Sequence, residues 1–331
     1  MEFRPFGQTG LQVSTVGFGC WEIGGGYGDI EETDFVRAIG RALDLGVNCF
    51  DTAEGYGSGA SERALGKALG RRRRDAVVVT KFGIGYRDKP NFRDASRDRC
   101  MACIEKSLAN LGTDCVDVYL IHWPDHVTPF EETMRALDDV VRQGKARFVG
   151  VSNFKRDEMD ACMSVRRVDV AQYGWNLFDR RMQRDVFPYC RDNGVGVMAY
   201  GSLAYGLLTG TFTEKTDFGS DDWRARADKM GAIKLFERLF GADYFPRNIR
   251  VVEELKGIAK RYGRSLPQLA LRWTISNPVV STALVGCRTV GEVEDNAGAV
   301  DWSIADDDLR EIDAVFARHG VDPVPPGWVE G

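Results

Sequence analysis

Apolar, β-branched runs alternate with amphipathic segments along most of the chain. The runs fall at 16–19, 47–50, 76–80, 116–121, 148–151, 168–171, 195–199 and 282–285. Each is short, rich in Val, Ile, Phe or Ala, and ends at a polar or small residue, the pattern of a buried strand. Between them, segments 32–45, 61–69, 97–111, 131–143, 155–165 and 183–193 place apolar residues at helical spacing, which predicts amphipathic helices. Gly46, Gly70, Gly112, Gly144 and Gly194 stand where helix C-caps belong. Strict strand–helix alternation implies a parallel sheet with helices outside it. Eight units without a doubled half favour closure into a (β/α)8 TIM barrel. The first eleven residues, centred on Gly7-Gln8-Thr9-Gly10, read as a β-hairpin before the barrel.

The spacing breaks once, before the eighth strand. There the chain adds a polar stretch at about 213–246 and two helical patterns near 247–262 and 265–277. A structureless loop of that length is unusual in a compact domain, so the stretch predicts a functional excursion. No linker, repeat or low-complexity segment divides the 331 residues, which read as a single domain.

Charge narrows the partners. The net charge of −5 argues against nucleic acid, which needs clustered Lys and Arg. The one basic run, Arg71 to Arg74, reads as a solvated helix end. No stretch approaches the roughly 20 apolar residues of a membrane span. The start, Met1-Glu2-Phe3-Arg4-Pro5-Phe6, lacks a basic then apolar leader. Eight cysteines are scattered without framework spacing, the usage of reduced thiols, so the expected location is the cytoplasm. Cys100 and Cys103 resemble a redox pair, but Cys100, Ile104, Leu108 and Leu111 share one helix face, which points to core.

In such a barrel the active site forms at the carboxyl ends of the strands. The residues there are Asp51, Lys81, His122, Ser152, Asn153, Gln172 and Tyr200, with Tyr56 five residues past the second strand. An acid, an amine, an imidazole and a phenol thus converge on one rim. The set suits carbonyl reduction. A hydride arriving at carbon needs a proton at oxygen, and a phenol with a pKa near 10 is a weak donor at neutral pH. A nearby ammonium stabilises the phenolate and lowers that value. Lys81 is placed to do this, Asp51 to hold the ammonium, and His122 to donate to the carbonyl oxygen.

The segments Gly19-Cys20-Trp21, Asp51-Thr52-Ala53-Glu54-Gly55-Tyr56-Gly57, Thr80-Lys81-Phe82-Gly83, Ile121-His122-Trp123-Pro124 and Gly150-Val151-Ser152-Asn153-Phe154 resemble the aldo-keto reductase superfamily, in order along the chain. The long insert resembles the branch of bacterial reductases and potassium-channel β-subunits. The resemblance implies a catalytic set of Asp51, Tyr56, Lys81 and His122, NADPH as cofactor with NADH possible, and a small carbonyl substrate. It implies cofactor contacts from Cys20 and Trp21. Ser152, Asn153 and Gln172 would hold the carboxamide, and Tyr200 would stack on the nicotinamide. The segment from Gly201, Ser202 and Leu203 to Gly206 and Leu208 would be the pyrophosphate loop. Gly286, Arg288, Glu292 and Asn296 would form the adenosine site.

Three positions depart from the family pattern: Val285 for a common Pro, Gly201-Ser202-Leu203 for Ser-Pro-Leu, and Thr211 for a frequent basic residue. Recognition of a 2′-phosphate therefore leans on Arg288, with Arg224 or Arg226 in support. Trp21, Tyr27, Tyr86 and Trp123 are expected to line the substrate pocket, with Phe82 divided between pocket and core. The glycine-rich segment 22–28 reads as a rim loop. Two rival readings are an NADPH-binding regulatory module and a Schiff-base aldolase using Lys81. The second would have no use for the cofactor positions. Oligomeric state is not legible in the sequence.

Overall fold

The computed structural model describes residues 1–24, 31–84, 93–220, 222–229 and 234–324. A hairpin of β1 (Phe3–Pro5) and β2 (Gln12–Ser14) precedes eight strands. These are β3 (Val16–Gly19), β4 (Cys49–Asp51), β5 (Val77–Phe82), β6 (Val116–Ile121), β7 (Ala146–Ser152), β8 (Val170–Gly174), β9 (Gly196–Tyr200) and β10 (Val280–Gly286). All eight pair in parallel and close as β10-β3-β4-β5-β6-β7-β8-β9. The protein is a (β/α)8 barrel, and its hairpin lies where the sequence pattern puts it.

Helices follow the strands: α1 (Glu32–Asp44), α2 (Ala60–Leu69), α3 (Arg97–Leu111), α4 (Phe130–Arg142), α5 (Arg156–Val165) and α6 (Val186–Asp192). Gly46, Gly70, Gly112, Gly144 and Gly194, which follow five of them, all adopt positive φ, a conformation that costs glycine little. Cys100 and Cys103 are buried on α3, so the apparent pair is core. The basic run forms a short 3-10 turn, Gly70–Asp75, in which Arg72 pairs with Asp44 and Arg73 with Asp117.

Strand parity positions the site. In β5, Val77 and Val79 point into the barrel, while Val78 and Phe82 face the helices. The same alternation sends Cys49 inward and Phe50 outward on β4, and Val118 and Leu120 inward on β6. Successive side chains of a strand point to opposite faces, so the next inward positions are Asp51, Lys81 and His122. Val170 and Met198 set the parity of Gln172 and Tyr200 likewise. Phe6 and Val13 of the hairpin region join this interior cluster and close the opposite end. The apolar inner layer is therefore the floor on which the polar rim stands.

The excursion before β10, polar and aromatic in sequence, is organised around its aromatic residues. It contains a 3-10 segment, Trp223–Lys229, and helix α7 (Lys234–Phe240), followed by α8 (Phe245–Arg261) and α9 (Leu266–Ser276). Trp223, Leu235, Phe236, Leu239, Phe240 and Phe245 are buried in a second apolar cluster. Trp223 and Phe236 lie 4.4 Å apart between ring centroids, and Tyr205 and Phe236 lie 4.8 Å apart. Of the polar residues, Arg224 lies over the rings of Phe212 and Phe218 within this layer. Two more helices, α10 (Val290–Ala297) and α11 (Asp306–Arg318), complete the described chain. Among the described residues no helix is long and apolar enough to cross a membrane.

Candidate active site

Asp51 and Lys81 end neighbouring strands and face one another in the barrel mouth. Lys81 Nζ lies 2.6 Å from Asp51 Oδ2, donates to Thr52 O at 2.8 Å, and reaches the Tyr56 hydroxyl at 3.3 Å. Its side chain has no exposed surface. Gln172 Nε2 donates to the other carboxylate oxygen, Asp51 Oδ1, at 2.6 Å. The pair is thus held from both sides. The His122 ring stands edge-on to Tyr56, with centroids 5.6 Å apart.

The loop carrying Tyr56 is anchored by its own carboxylate. Glu54 accepts from Gly83 N and pairs with Arg99 at 2.9 Å. Ser61, in the first turn of α2, donates to Cys20 O at 2.7 Å and ties the end of this loop to the residue after β3. Neither Glu54 nor Ser61 was assigned a role from the sequence, because a single acid and a single serine carry no periodic signal.

Burial dominates the electrostatics. It drives the Tyr56 phenol well above its ordinary pKa, and the Asp51 carboxylate adds in the same direction. The ammonium at 3.3 Å opposes this shift, but Asp51 offsets much of its charge. Desolvation also lowers Lys81 and raises Asp51, each countered by the other's charge. His122 is held well below its ordinary value by burial, then by Lys81 and Arg93. It is a neutral imidazole at physiological pH, and its buried Nδ1 has no hydrogen-bond partner.

Above this floor opens a cavity of about 830 Å³. Cys20, Trp21, Asp51, Tyr56, His122, Trp123, Ser152, Asn153, Gln172 and Tyr200 line its inner part. Gly201, Ser202, Leu203, Gly206, Gly286, Arg288, Glu292 and Asn296 are among the other residues lining it. Of the residues singled out in the sequence, Leu208 does not reach the cavity. It is fully buried among apolar neighbours behind the wall. Phe82 is core as well, stacked on Tyr119 at 5.0 Å. Tyr27 and Tyr86 lie outside the described residues. Lys81 is beneath the cavity, sealed in its ion pair, which is a poor position for an aldolase nucleophile.

The strip at the ends of β7 to β9 is assembled from its own hydrogen bonds. Ser152 Oγ donates to Gln172 O at 3.0 Å, Asn153 Nδ2 donates to His122 O at 3.2 Å, and the Tyr200 hydroxyl donates to Asn153 Oδ1 at 2.7 Å. Asn153 adopts a φ of 66°, a strained position that these bonds hold. Of the candidate phosphate ligands, Arg224 is already committed. It makes two contacts to Asp222 at 2.6 and 2.9 Å and reaches Tyr205 O at 3.2 Å. Arg226 is exposed. Arg288 is 53% exposed and held only loosely, 3.8 Å from Glu292.

The chain as a whole has relatives among known proteins. The family model described as "Aldo/keto reductase family" matches residues 15–317. The chain belongs to the aldo/keto reductase family. It is 36% identical to the aldo-keto reductase YhdN of Bacillus subtilis, over 99% of this chain and 98% of the relative. It is 32% identical to the NADH-specific methylglyoxal reductase of Escherichia coli, over 96% and 100%. Among solved structures, a glycerol dehydrogenase from Gluconobacter oxydans superposes with a TM-score of 0.85 at 34% identity, covering 98% of this chain and 97% of that one. As an aldo-keto reductase the protein is a nicotinamide-dependent oxidoreductase acting on small carbonyl substrates.

Glu22 and Tyr205 were named in the sequence only as parts of the 22–28 segment and of the loop from Gly201 to Leu208, and both are wall residues. Glu22 lines the cavity beside Gly286, although its place directly after Cys20-Trp21 already set it at the mouth. Tyr205 packs against Trp21 at 6.1 Å and Trp223 at 5.9 Å. It joins the excursion to the cavity wall, and only the fold brings these three rings together.

Proposed function

We propose that this enzyme reduces aldehydes, and some ketones, to alcohols with NADPH, and that Tyr56 is the general acid. The observation that carries the reading is Lys81 Nζ placed 3.3 Å from the phenol and 2.6 Å from Asp51 at the base of the cavity. A bound nicotinamide supplies the hydride. Tyr56 keeps its proton through the neutral range, because burial raises its pKa, and it donates to the oxygen that gains negative charge. Lys81 stabilises the phenolate left behind. Asp51 and Gln172 hold the ammonium in place. His122, being neutral, positions the carbonyl oxygen with a hydrogen bond. Trp21 and Trp123 give that end of the cavity an aromatic wall, the usual character of a small-ligand site.

The residues fit a dinucleotide. The interlocked Ser152, Asn153 and Gln172 offer a preformed polar strip for a carboxamide. Gly201, Ala204, Tyr205 and Gly206 adopt positive φ and turn the backbone along the wall, the kind of left-handed loop that can cradle anions. Arg288, half exposed at the far end, is the candidate for the 2′-phosphate. Calorimetric titration at neutral pH is expected to show NADPH binding about tenfold more tightly than NADH, the strength of one charge-assisted contact. Equal affinities would remove the assignment of Arg288 and leave the family membership intact.

The excursion acts as a clamp in this proposal. Lys234, Leu235 and Phe236 of α7 line the cavity together with Arg224, so a bound cofactor would lie against them. Lid opening limits turnover in many enzymes. Amide hydrogen exchange across 213–246 should therefore slow when NADPH is added, and unchanged exchange at saturation would rule the clamp out. The eight free cysteines support a reducing compartment, the cytoplasm, as the place of work.

A further inference from the structure

Glu22 occupies an unusual seat on the cavity wall. Its carboxylate presses on Gly286 at the end of β10, so closely that a Cβ at 286 would collide with both carboxylate oxygens. Oε2 is sealed from solvent and has no hydrogen-bond partner among the described residues. Among the described residues, the charged and titratable groups facing Glu22 are Arg288, Cys287 and Glu292 from the β10–α10 side, Cys20 from the end of β3, and Tyr56 from the loop after β4. Arg288 is the cation among them, and Glu292 already competes for it. Glu292 accepts from the Arg288 backbone N–H at 2.6 Å and lies 3.8 Å from the guanidinium. Glu22 is therefore a carboxylate short of counter-charge, in a cavity that must admit phosphates.

We propose that Glu22 is a discriminating residue of the cofactor site, whose negative charge opposes the phosphates and whose protonation favours the dinucleotide that carries the extra 2′-phosphate. This rests on the reading that the cavity takes the nicotinamide cofactor. Burial lifts the Glu22 carboxyl to about 7, against a hydrogen bond from its own backbone N–H, with Glu292 adding to the rise and Arg288 opposing it. The group thus changes charge in the physiological range. An anion bound nearby raises the value further, so binding takes up a proton. Linkage then weakens binding as pH climbs above the free-protein value, by at most about tenfold per pH unit for one proton. The effect is larger for NADPH than for NADH, because the 2′-phosphate adds charge near Arg288. Preference for NADPH should consequently shrink as pH rises.

The test is calorimetric titration of NADPH and NADH at pH 6, 7 and 8, in two buffers of different ionisation enthalpy, for the wild type and Glu22→Gln. Glutamine keeps the shape and removes the charge. The 2′-phosphate itself titrates near pH 6, but that contribution is common to both proteins, so their difference reports Glu22. The wild-type NADPH affinity is expected to fall roughly tenfold more than the variant's between pH 6 and 8. Proton uptake should be reduced in the variant. Identical pH profiles and proton uptake in the two proteins would overturn the proposal. Should Glu22→Gln fail to fold, Glu22→Ala carries the same comparison. A wild type that binds neither dinucleotide at any pH would instead overturn the cofactor reading beneath it.

Discussion

Tyr56→Phe is expected to slow single-turnover hydride transfer from NADPH to an aldehyde by about 10²–10⁴-fold, the usual worth of a positioned general acid. The substitution keeps the ring, so its packing against Trp21 and His122 should survive. Affinity for NADPH should barely change, because the hydroxyl's hydrogen bond runs to Lys81. The pH dependence carries a sign that checks the role. Burial holds the phenol well above its ordinary value, so the proton-donating form persists from acid through neutral pH and reduction should be flat there. Alcohol oxidation needs the phenolate, and its rate should climb as pH rises. A Tyr56→Phe enzyme that transfers hydride at the wild-type rate would mean another group delivers the proton. His122, neutral and edge-on to the same ring, would be the candidate.

Lys81→Met should abolish most of the reduction and also destabilise the fold, for separate reasons. Lys81 and Asp51 form a sealed ion pair 2.6 Å apart. Removing one partner leaves a buried charge uncompensated, which costs about 3–5 kcal/mol. The phenolate loses the ammonium 3.3 Å away, so residual reduction should show an altered pH profile. The two effects separate in the double variant Lys81→Met with Asp51→Asn. Deleting both charges should restore much of the thermal stability and none of the rate. Recovery of rate along with stability would reduce Lys81 to a structural residue. Asp51→Asn alone is not mild in this geometry. Lys81 has no exposed surface from which water could replace the lost carboxylate, so its ammonium should lose its proton or loosen the floor.

The fold was legible in the sequence because two physical periods are local. Strands end where a β-branched run meets a polar residue, and helices end where a glycine can take a positive φ. The runs ending at Asp51, Lys81 and His122 and the glycines 46, 70, 112, 144 and 194 carry these signals without reference to distant residues. Alternation along each strand even placed the reactive groups inside the barrel, since Cys49, Val77, Val79, Val118 and Leu120 fix the inward parity. The internal packing of the excursion was not legible for the opposite reason. Its aromatic residues are spaced irregularly among charges, so polarity dominates any window, and Trp223, Phe236 and Phe240 find each other only by packing on Tyr205 and Trp21.

What a sequence determines by itself here is the identity and order of the rim residues, because strand register and chain order are set by neighbours a few positions apart. The tertiary structure decided how they act on one another. Asp51 and Gln172 are 121 residues apart in the chain, yet they share a hydrogen bond at 2.6 Å. Arg224 looks as available as Arg288 in the sequence, but Asp222 and Tyr205 engage it in the fold. Leu208 falls in the loop pattern but behind the wall. Glu22 becomes chemically distinctive only where β10 brings Gly286 and Glu292 against it. Charge balance and desolvation depend on the whole surroundings of a group, and those surroundings exist only once the barrel has closed.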